Sequence, residues 1–356
     1  MVSVATYCDA YDAALETLLL PLTTGAVALP KNGRVLFLRA RVGAALPAMA
    51  RQWTFEQSFR PFADALQRAG LEVTAAAAGE TDFQLLLLLP PRQRDESRAL
   101  LARALQCAAA GGVVLASMLN TEGARSLEVD MERLAGAVQS LSKNKCRAVW
   151  CRNDPARIDQ SLLAQWAQLD APRAIADGRF LSRPGLFAWD RIDPGSALLA
   201  SCLPAELRGS GADLGAGFGY LASEVLARCP GVVSLDLYEA EARALELARI
   251  NMDGLPTRPT PCALGYYWHD VSTGLPAQYD FTVSNPPFHQ GRADQPQLGR
   301  AFIAAAAAAL RRGGSLWLVA NRHLPYEAAL AQGFSRVRTV RERDGFKIIE
   351  AIKAGA

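Results

Sequence analysis

The 356-residue sequence has little histidine: only His269, His289 and His323, with no two at metal-ligand spacing. A structural or catalytic zinc is therefore not expected. Its seven cysteines, Cys8, Cys107, Cys146, Cys151, Cys202, Cys229 and Cys262, are scattered, odd in number and never form a Cys-x-x-Cys pair. With no signal peptide to be read at the N-terminus, this usage predicts reduced thiols and a cytoplasmic protein. Long apolar runs are missing as well, since Leu85 to Leu89 and Ala301 to Leu310 are far too short to cross a bilayer. Nor is there an excess of one charge: 38 basic residues face 35 acidic ones, which excludes a nucleic-acid-binding tail or a disordered linker. What charge there is has a bias, because the basic residues are nearly all arginine. Arginine suits bidentate contact with phosphate better than lysine does, and a balanced total still leaves room for a local basic patch. Half of the residues are apolar, and the length allows two domains that each bury a core.

The strongest local signal is Tyr279 to Phe288, YDFTVSNPPF. It reads as an apolar strand that stops at Asn285, because the residue before a proline is pushed out of the helical region and Pro286 and Pro287 remove two ladder donors. At that tip an amide oxygen and a backbone carbonyl can accept the two hydrogens of a planar amine, and the ring of Phe288 can stack on a base. By itself the stretch reads first as a strand followed by a proline-rich loop, and it is the motif upstream that reverses this reading.

A second motif lies about seventy residues upstream, GADLGAGFGY, Gly211 to Tyr220. Here a strand ends at three closely spaced glycines, Gly215, Gly217 and Gly219, and a helix begins at Leu221 with its amides toward the turn. The spacing is Gly-x-Gly-x-Gly with Asp213 just before it, and not the Gly-x-Gly-x-x-Gly of a dinucleotide fold. The next strand, Val232 to Tyr238, ends at Glu239, where a carboxylate can bind both hydroxyls of a ribose. Asp236 reads as a residue within that strand. Asp270 ends the following apolar stretch and could accept from an adenine amine.

Strands alternating with helices predict an α/β fold with mostly parallel sheets, and the order occurs twice. In the first half we expect a helix from Asp9 to Leu20 and strands at Arg34 to Arg39, near Leu71 to Ala75 and at Phe83 to Leu89. A helix from Asp95 to Ala109 then leads through Gly111-Gly112 into a strand, Val113 to Met118. Landmarks recur at an offset of 202, Gly111-Gly112 with Gly313-Gly314 and Lys145 with Lys347, which predicts a duplicated unit. Between the copies, Phe180 to Pro204 reads as a hairpin and then a helix ending near Leu203. The boundary is set near residue 178, giving domains 1–178 and 179–356. The first copy has leucines before its Pro90-Pro91 and no closely spaced glycines after its first strand. It reads as a scaffold without a cofactor site, available to hold a large substrate.

GADLGAGFG, Glu239, Asp270 and SNPPF, in that order, resemble a class I S-adenosylmethionine-dependent methyltransferase of the kind that methylates exocyclic amines. More narrowly, SNPPFHQG with VANRHLPY and the closing GFKIIEA is similar to the bacterial ribosomal RNA guanine-N2 methyltransferases, the small-subunit methyltransferase C family and its large-subunit relative. That resemblance implies two tandem Rossmann-like domains with a degenerate N-terminal one, S-adenosylmethionine as cofactor and no metal. It implies a guanine of ribosomal RNA, small-subunit 16S or large-subunit 23S, as acceptor and a monomeric cytoplasmic enzyme. It assigns Asp213, Gly215, Gly217 and Gly219 to the methionine side of the cofactor, Glu239 to its ribose and Asp270 to its adenine. Asn285, Pro286, Pro287 and Phe288 would hold the flipped guanine, with Asn285 bordering both ligands. The loop Arg292 to Gly299 fits neither subfamily. Other acceptors for the same tip are adenine or a protein glutamine, and a non-enzyme reading is an RNA-binding ribosome assembly factor. His289 reads as a solvated loop residue. Arg336, Arg338, Arg341 and Arg343, and Lys143, Lys145 and Arg147 in the first copy, read equally as exposed strand faces or as phosphate contacts.

Overall fold

The computed structural model describes residues 12–31, 33–76, 79–257, 260–287, 289–290, 293–294 and 296–355. The chain divides into two compact units, one reaching Pro172 and including Arg183–Gly185, the other formed by Arg173–Ser182 and Leu186–Ala356.

The first unit runs α1 (Ala13–Thr23), β1 (Val35–Leu38), β2 (Thr54–Glu56), α2 (Arg60–Arg68), β3 (Val73–Thr74) and β4 (Phe83–Leu88), then α3 (Arg94–Cys107), β5 (Ala108–Leu119), α4 (Ala124–Ala135), β6 (Gln139–Lys143), β7 (Cys146–Arg152) and α5 (Gln160–Ala167). Its seven strands lie in the order β3-β2-β1-β4-β5-β7-β6. The five N-terminal strands are parallel and the β5-β7 and β7-β6 pairs antiparallel. Central strands such as VLFL and FQLLLL are apolar almost throughout because helices cover both faces, so the residues of both parities are buried.

The second unit opens with a hairpin, β8 (Arg173–Ile175) and β9 (Phe180–Ser182), then α6 (Pro194–Cys202), β10 (Arg208–Leu214), α7 (Tyr220–Arg228), β11 (Gly231–Glu239), α8 (Ala242–Asp253), β12 (Ala263–Trp268) and β13 (Tyr279–Ser284). Short strands β14 (His289–Gln290) and β15 (Ala293–Asp294) precede α9 (Pro296–Ala309), β16 (Leu310–Asn321), α10 (Glu327–Gly333), β17 (Arg336–Arg343) and β18 (Phe346–Ile352). The sheet order β12-β11-β10-β13-β16-β18-β17 repeats that of the first unit strand for strand.

Two local expectations need correction. The glycine pairs do not precede the long strands but lie inside them: β5 starts at Ala108 and β16 at Leu310. Gly313, with φ of 77°, lets the chain bulge, and the ladder to β13 shifts register between Tyr279 and Phe281. The counterpart of Lys347 is not Lys145 but Arg147, because Met118 pairs with Arg147 where Ala320 pairs with Lys347. Both cations meet a glutamate, Arg147 with Glu128 of α4 and Lys347 with Glu327 of α10. The hairpin turns are equal in length, Asn144-Lys145 and Asp344-Gly345, so the first unit's extra residues lie between β5 and β6, and they hid this from a constant offset.

Candidate active site

Asp213, Gly215, Gly217, Gly219, Glu239, Asp270, Asn285, Pro286 and Pro287 sit at one end of the second unit's sheet, at the C-terminal ends of β10, β11, β12 and β13, where an open α/β sheet binds its ligands. Register fixes this: Leu214 is level with Tyr238 and with Ser284, so the loops that follow leave the sheet side by side. The Gly215 and Ala216 amides both donate to the Tyr238 carbonyl at 2.9 and 3.0 Å. That tight fold-back needs the positive φ of 78° at Gly215. Beyond it the loop is open, and a side chain added at Gly217 would meet nothing within 4 Å.

Asp213 is the last charged residue before this turn and is fully buried. Neither of its carboxylate oxygens has a hydrogen-bond partner among the described residues. Burial pushes its pKa up to about 7, and the nearby Glu239 charge adds to the rise. A buried carboxylate with no partner among the described residues is costly to keep charged unless a positive group reaches it. The α-ammonium of S-adenosylmethionine supplies one, so these residues fit that cofactor.

Glu239 closes β11, and its two oxygens accept from the Gly217 and Glu241 amides at 2.7 and 2.8 Å. Desolvation raises its pKa, opposed by those amides. Asp236, within β11, accepts from the Tyr279 hydroxyl at 2.7 Å and so is a sheet residue. Asp270 follows β12 and is buried, and its carboxylate accepts the Ser272 amide at 2.9 Å, holding the turn Val271–Thr273.

Asn285 follows β13, and its amide nitrogen donates to Asp193 Oδ2 at 2.9 Å and to Ser196 Oγ at 2.8 Å. Asp193 is the N-cap of α6, accepting from the Ser196 amide at 2.8 Å through the same oxygen. A carboxylate can only accept, so it faces the nitrogen end of the amide and leaves Oδ1 of Asn285 available as an acceptor. Asp193, Ser196, Gly215, Gly217, Phe218 and Asn285 share one open cleft with Phe187, which is 70% exposed at the rim. Pro286 is buried and Pro287 exposed beside it. Phe288 and the side chain of His289 lie outside the described residues.

Asp193 and Ser196 were missed by sequence reasoning. The signal for their local role was there, Asp-Pro-Gly-Ser being a helix start with proline at the first turn. Their partner Asn285 is 92 residues away from Asp193, which no local pattern encodes.

In the first unit the same register positions carry other chemistry. Phe37 stands where the second unit has Asp213, Arg39 where it has Gly215 and Leu89 where it has Asn285, as the levels Leu38–Leu88–Ala116 and Leu214–Ser284–Leu318 show. Gln57 replaces Glu239 and donates to the Ala40 carbonyl at 2.7 Å. Among the described residues no group of three or more His, Cys, Asp or Glu could hold a metal ion, and no helix is long and apolar enough to cross a membrane.

The Methyltransferase small domain family matches residues 177–350. Ribosomal RNA small subunit methyltransferase C of Pseudomonas aeruginosa is 30% identical over 337 residues, spanning 89% of this chain and 96% of its own length. The protein of the same name from Psychromonas ingrahamii is 28% identical over 315 residues, spanning 86% of this chain and 88% of its own. Among solved structures, the T. thermophilus 16S rRNA N2 G1207 methyltransferase (RsmC) in complex with AdoMet and guanosine has a similar fold. Its TM-score is 0.78 at 23% identity, with 96% of this chain and 92% of that one covered.

Proposed function

The chain belongs to the ribosomal RNA small subunit methyltransferase C family and is an S-adenosylmethionine-dependent rRNA methyltransferase; we propose how its residues carry that reaction to the exocyclic N2 amine of a guanine in 16S rRNA. The observation that carries the proposal is the orientation of Asn285, whose amide nitrogen is taken up by Asp193 and Ser196. Its Oδ1 and the Pro286 carbonyl accept the two amine hydrogens, which points the nitrogen lone pair away from both. Asp213 and the Gly215–Gly219 loop hold the methionine part of the cofactor, Glu239 the ribose and Asp270 the adenine. The cofactor supplies an electrophilic methyl group on a sulfonium centre. The chain's own contribution is alignment of amine and donor for in-line displacement, with Phe288 as the stacking surface for the flipped base.

The N-terminal domain, 1–178 by the boundary read from sequence and reaching Pro172 as a compact unit, serves as a degenerate scaffold or substrate-holding domain, and the C-terminal domain, 179–356, is catalytic. Support comes from Phe37, Arg39, Gln57 and Leu89, which stand at the register positions of Asp213, Gly215, Glu239 and Asn285. Every donor and acceptor residue is drawn from one unit, so the site needs no second copy of the chain, in keeping with a monomer. The test is methylation of separated 16S and 23S rRNAs and of small subunits with labelled donor, followed by nucleoside analysis. N2-methylguanosine from the small-subunit RNA is expected. Label in adenine, or in the large-subunit RNA alone, would overturn the proposal.

A further inference from the structure

We propose that the outer edge of the C-terminal sheet is a track for the phosphate backbone of the substrate RNA, formed by Arg336, Arg338, Arg341 and Arg343 of β17. The proposal rests on the RNA-methylating function above for the identity of the polyanion. In sequence the four arginines differ in parity, two at even and two at odd positions, so a regular strand would send them to opposite faces. The ladder does not stay regular. Its register shifts between Thr339 and Arg341, so that Arg336, Arg338, Arg341 and Arg343 stand opposite Ile352, Glu350, Ile348 and Phe346. Those four partners alternate along β18 and share one face, and residues directly opposite in an antiparallel pair share a face as well. The ion pair of Arg338 with Glu350 agrees with this. One bulge thus gathers four guanidinium groups onto one side of an edge strand, over roughly 20 Å of length.

The face in question is the one that α6 covers further in. Ile348 belongs to the core cluster with Leu199 and Ala200 of α6, and Phe346 and the bulged Val340 pack against it. Phe346 also lies against the first turn of α6, where a side chain on Gly195 would come within 3.0 Å of its ring. From Arg343 the path to the reacting tip is therefore short: Arg343 is level with Phe346, Phe346 touches α6 at Gly195, and Asp193 and Ser196 beside it hold Asn285. The row ends at the substrate side of the cleft.

All four arginines are exposed. Glu350 and Asp344 offset Arg338 and Arg343, while Arg336 and Arg341 form no ion pair among the described residues. The fold does not require this charge. In the first unit the equivalent edge strand β6 reads QSLSK, and the positions level with Arg338, Arg341 and Arg343 hold Gln139, Leu141 and Lys143. A single charge suffices there to guard a sheet edge. Two unpaired guanidinium groups on one face, leading to a site that accepts a nucleobase, are complementary to a polyphosphate chain.

The test is an Arg336→Ala/Arg341→Ala double variant of the full chain, compared with the wild type in binding a ribosomal RNA fragment at several salt concentrations. Removing two phosphate contacts on a single strand should reduce the slope of log affinity against log salt by about 1.4. KM for RNA should rise about tenfold at 0.15 M salt, with kcat at saturating RNA and calorimetric affinity for S-adenosylmethionine within twofold. Arg336→Lys/Arg341→Lys should restore the slope, since charge and not shape is at issue. If the alanine pair fails to fold, Arg341→Gln alone must lower the slope by about 0.7. An unchanged slope, or a lysine pair as weak as the alanine pair, overturns the proposal. If wild-type protein binds RNA but transfers no methyl group, the catalytic assignment fails while the slope comparison still decides the track.

Discussion

Replacing Asp193 by asparagine separates two roles that one carboxylate performs. The Asp193 side chain caps α6 through the Ser196 amide and fixes the Asn285 amide through Nδ2. Asparagine is as good an N-cap as aspartate, so unfolding free energy should change by less than about 0.5 kcal/mol. The second role is weakened, because the one oxygen that caps α6 and also meets Asn285 no longer carries a charge. A hydrogen bond to a charged acceptor contributes about 1.5–3 kcal/mol against about 1 for a neutral one. The difference of about 1.4 kcal/mol corresponds to a tenfold loss in the population of the productive amide orientation. We therefore expect Asp193→Asn to lower kcat about tenfold in a single-turnover assay with labelled donor. Donor affinity by calorimetry should stay within twofold, and the urea unfolding midpoint should hold. Asp193→Ala, which also loses the cap, should cost about 1 kcal/mol of stability besides. Full turnover in Asp193→Asn would refute the orienting role. So would a turnover loss matched by an equal loss of stability.

Asn285→Ala should lower turnover by roughly 10²–10³-fold with donor affinity nearly intact, since it removes an acceptor aimed at the reacting amine; retention of full rate in the labelled-donor assay would contradict its role. Glu239→Ala should weaken donor binding by roughly ten- to a hundredfold through the lost ribose contacts, measured by calorimetry, with less effect on kcat at saturation. Asp213 gives the ligand-free protein a distinctive pH response. With its pKa raised to about 7 against about 3.9 in the unfolded chain, the native state holds a proton that the unfolded state has lost between those values. Stability is therefore highest on the acid side and falls as pH rises from 4 to 7, by on the order of 4 kcal/mol from this group. Denaturant titrations at pH 5 and pH 8 should show the fall in the wild type and its disappearance in Asp213→Asn.

Much of this was legible before any coordinates. The glycine loop, the acid after β11 and the Asn-Pro-Pro tip are each set by backbone chemistry within a few residues, and buried parallel strands announce themselves as apolar runs such as Leu85 to Leu89. What was hidden depends on pairing. Asp193 reads as a helix cap, yet its contact with Asn285 exists only once β13 and α6 are brought to the same end of the sheet. The arginines of β17 read as an alternating strand, and only the bulge after Thr339 places all four on one side. Gly111-Gly112 and Gly313-Gly314 looked like loops because glycine is rare inside strands, whereas here the strands run through them.

The turn after β1 follows the same sharp course as the turn after β10, although a bulky residue occupies its corner. Arg39 holds φ at 53° where Gly215 holds 78°, at a cost of about 1–2 kcal/mol for a residue bearing a Cβ. Its guanidinium reaches Glu96 at 2.9 Å, at the start of α3. A corner left empty in one half of the molecule is stoppered from within in the other, so the same bend is a socket in one copy and a latch in its twin.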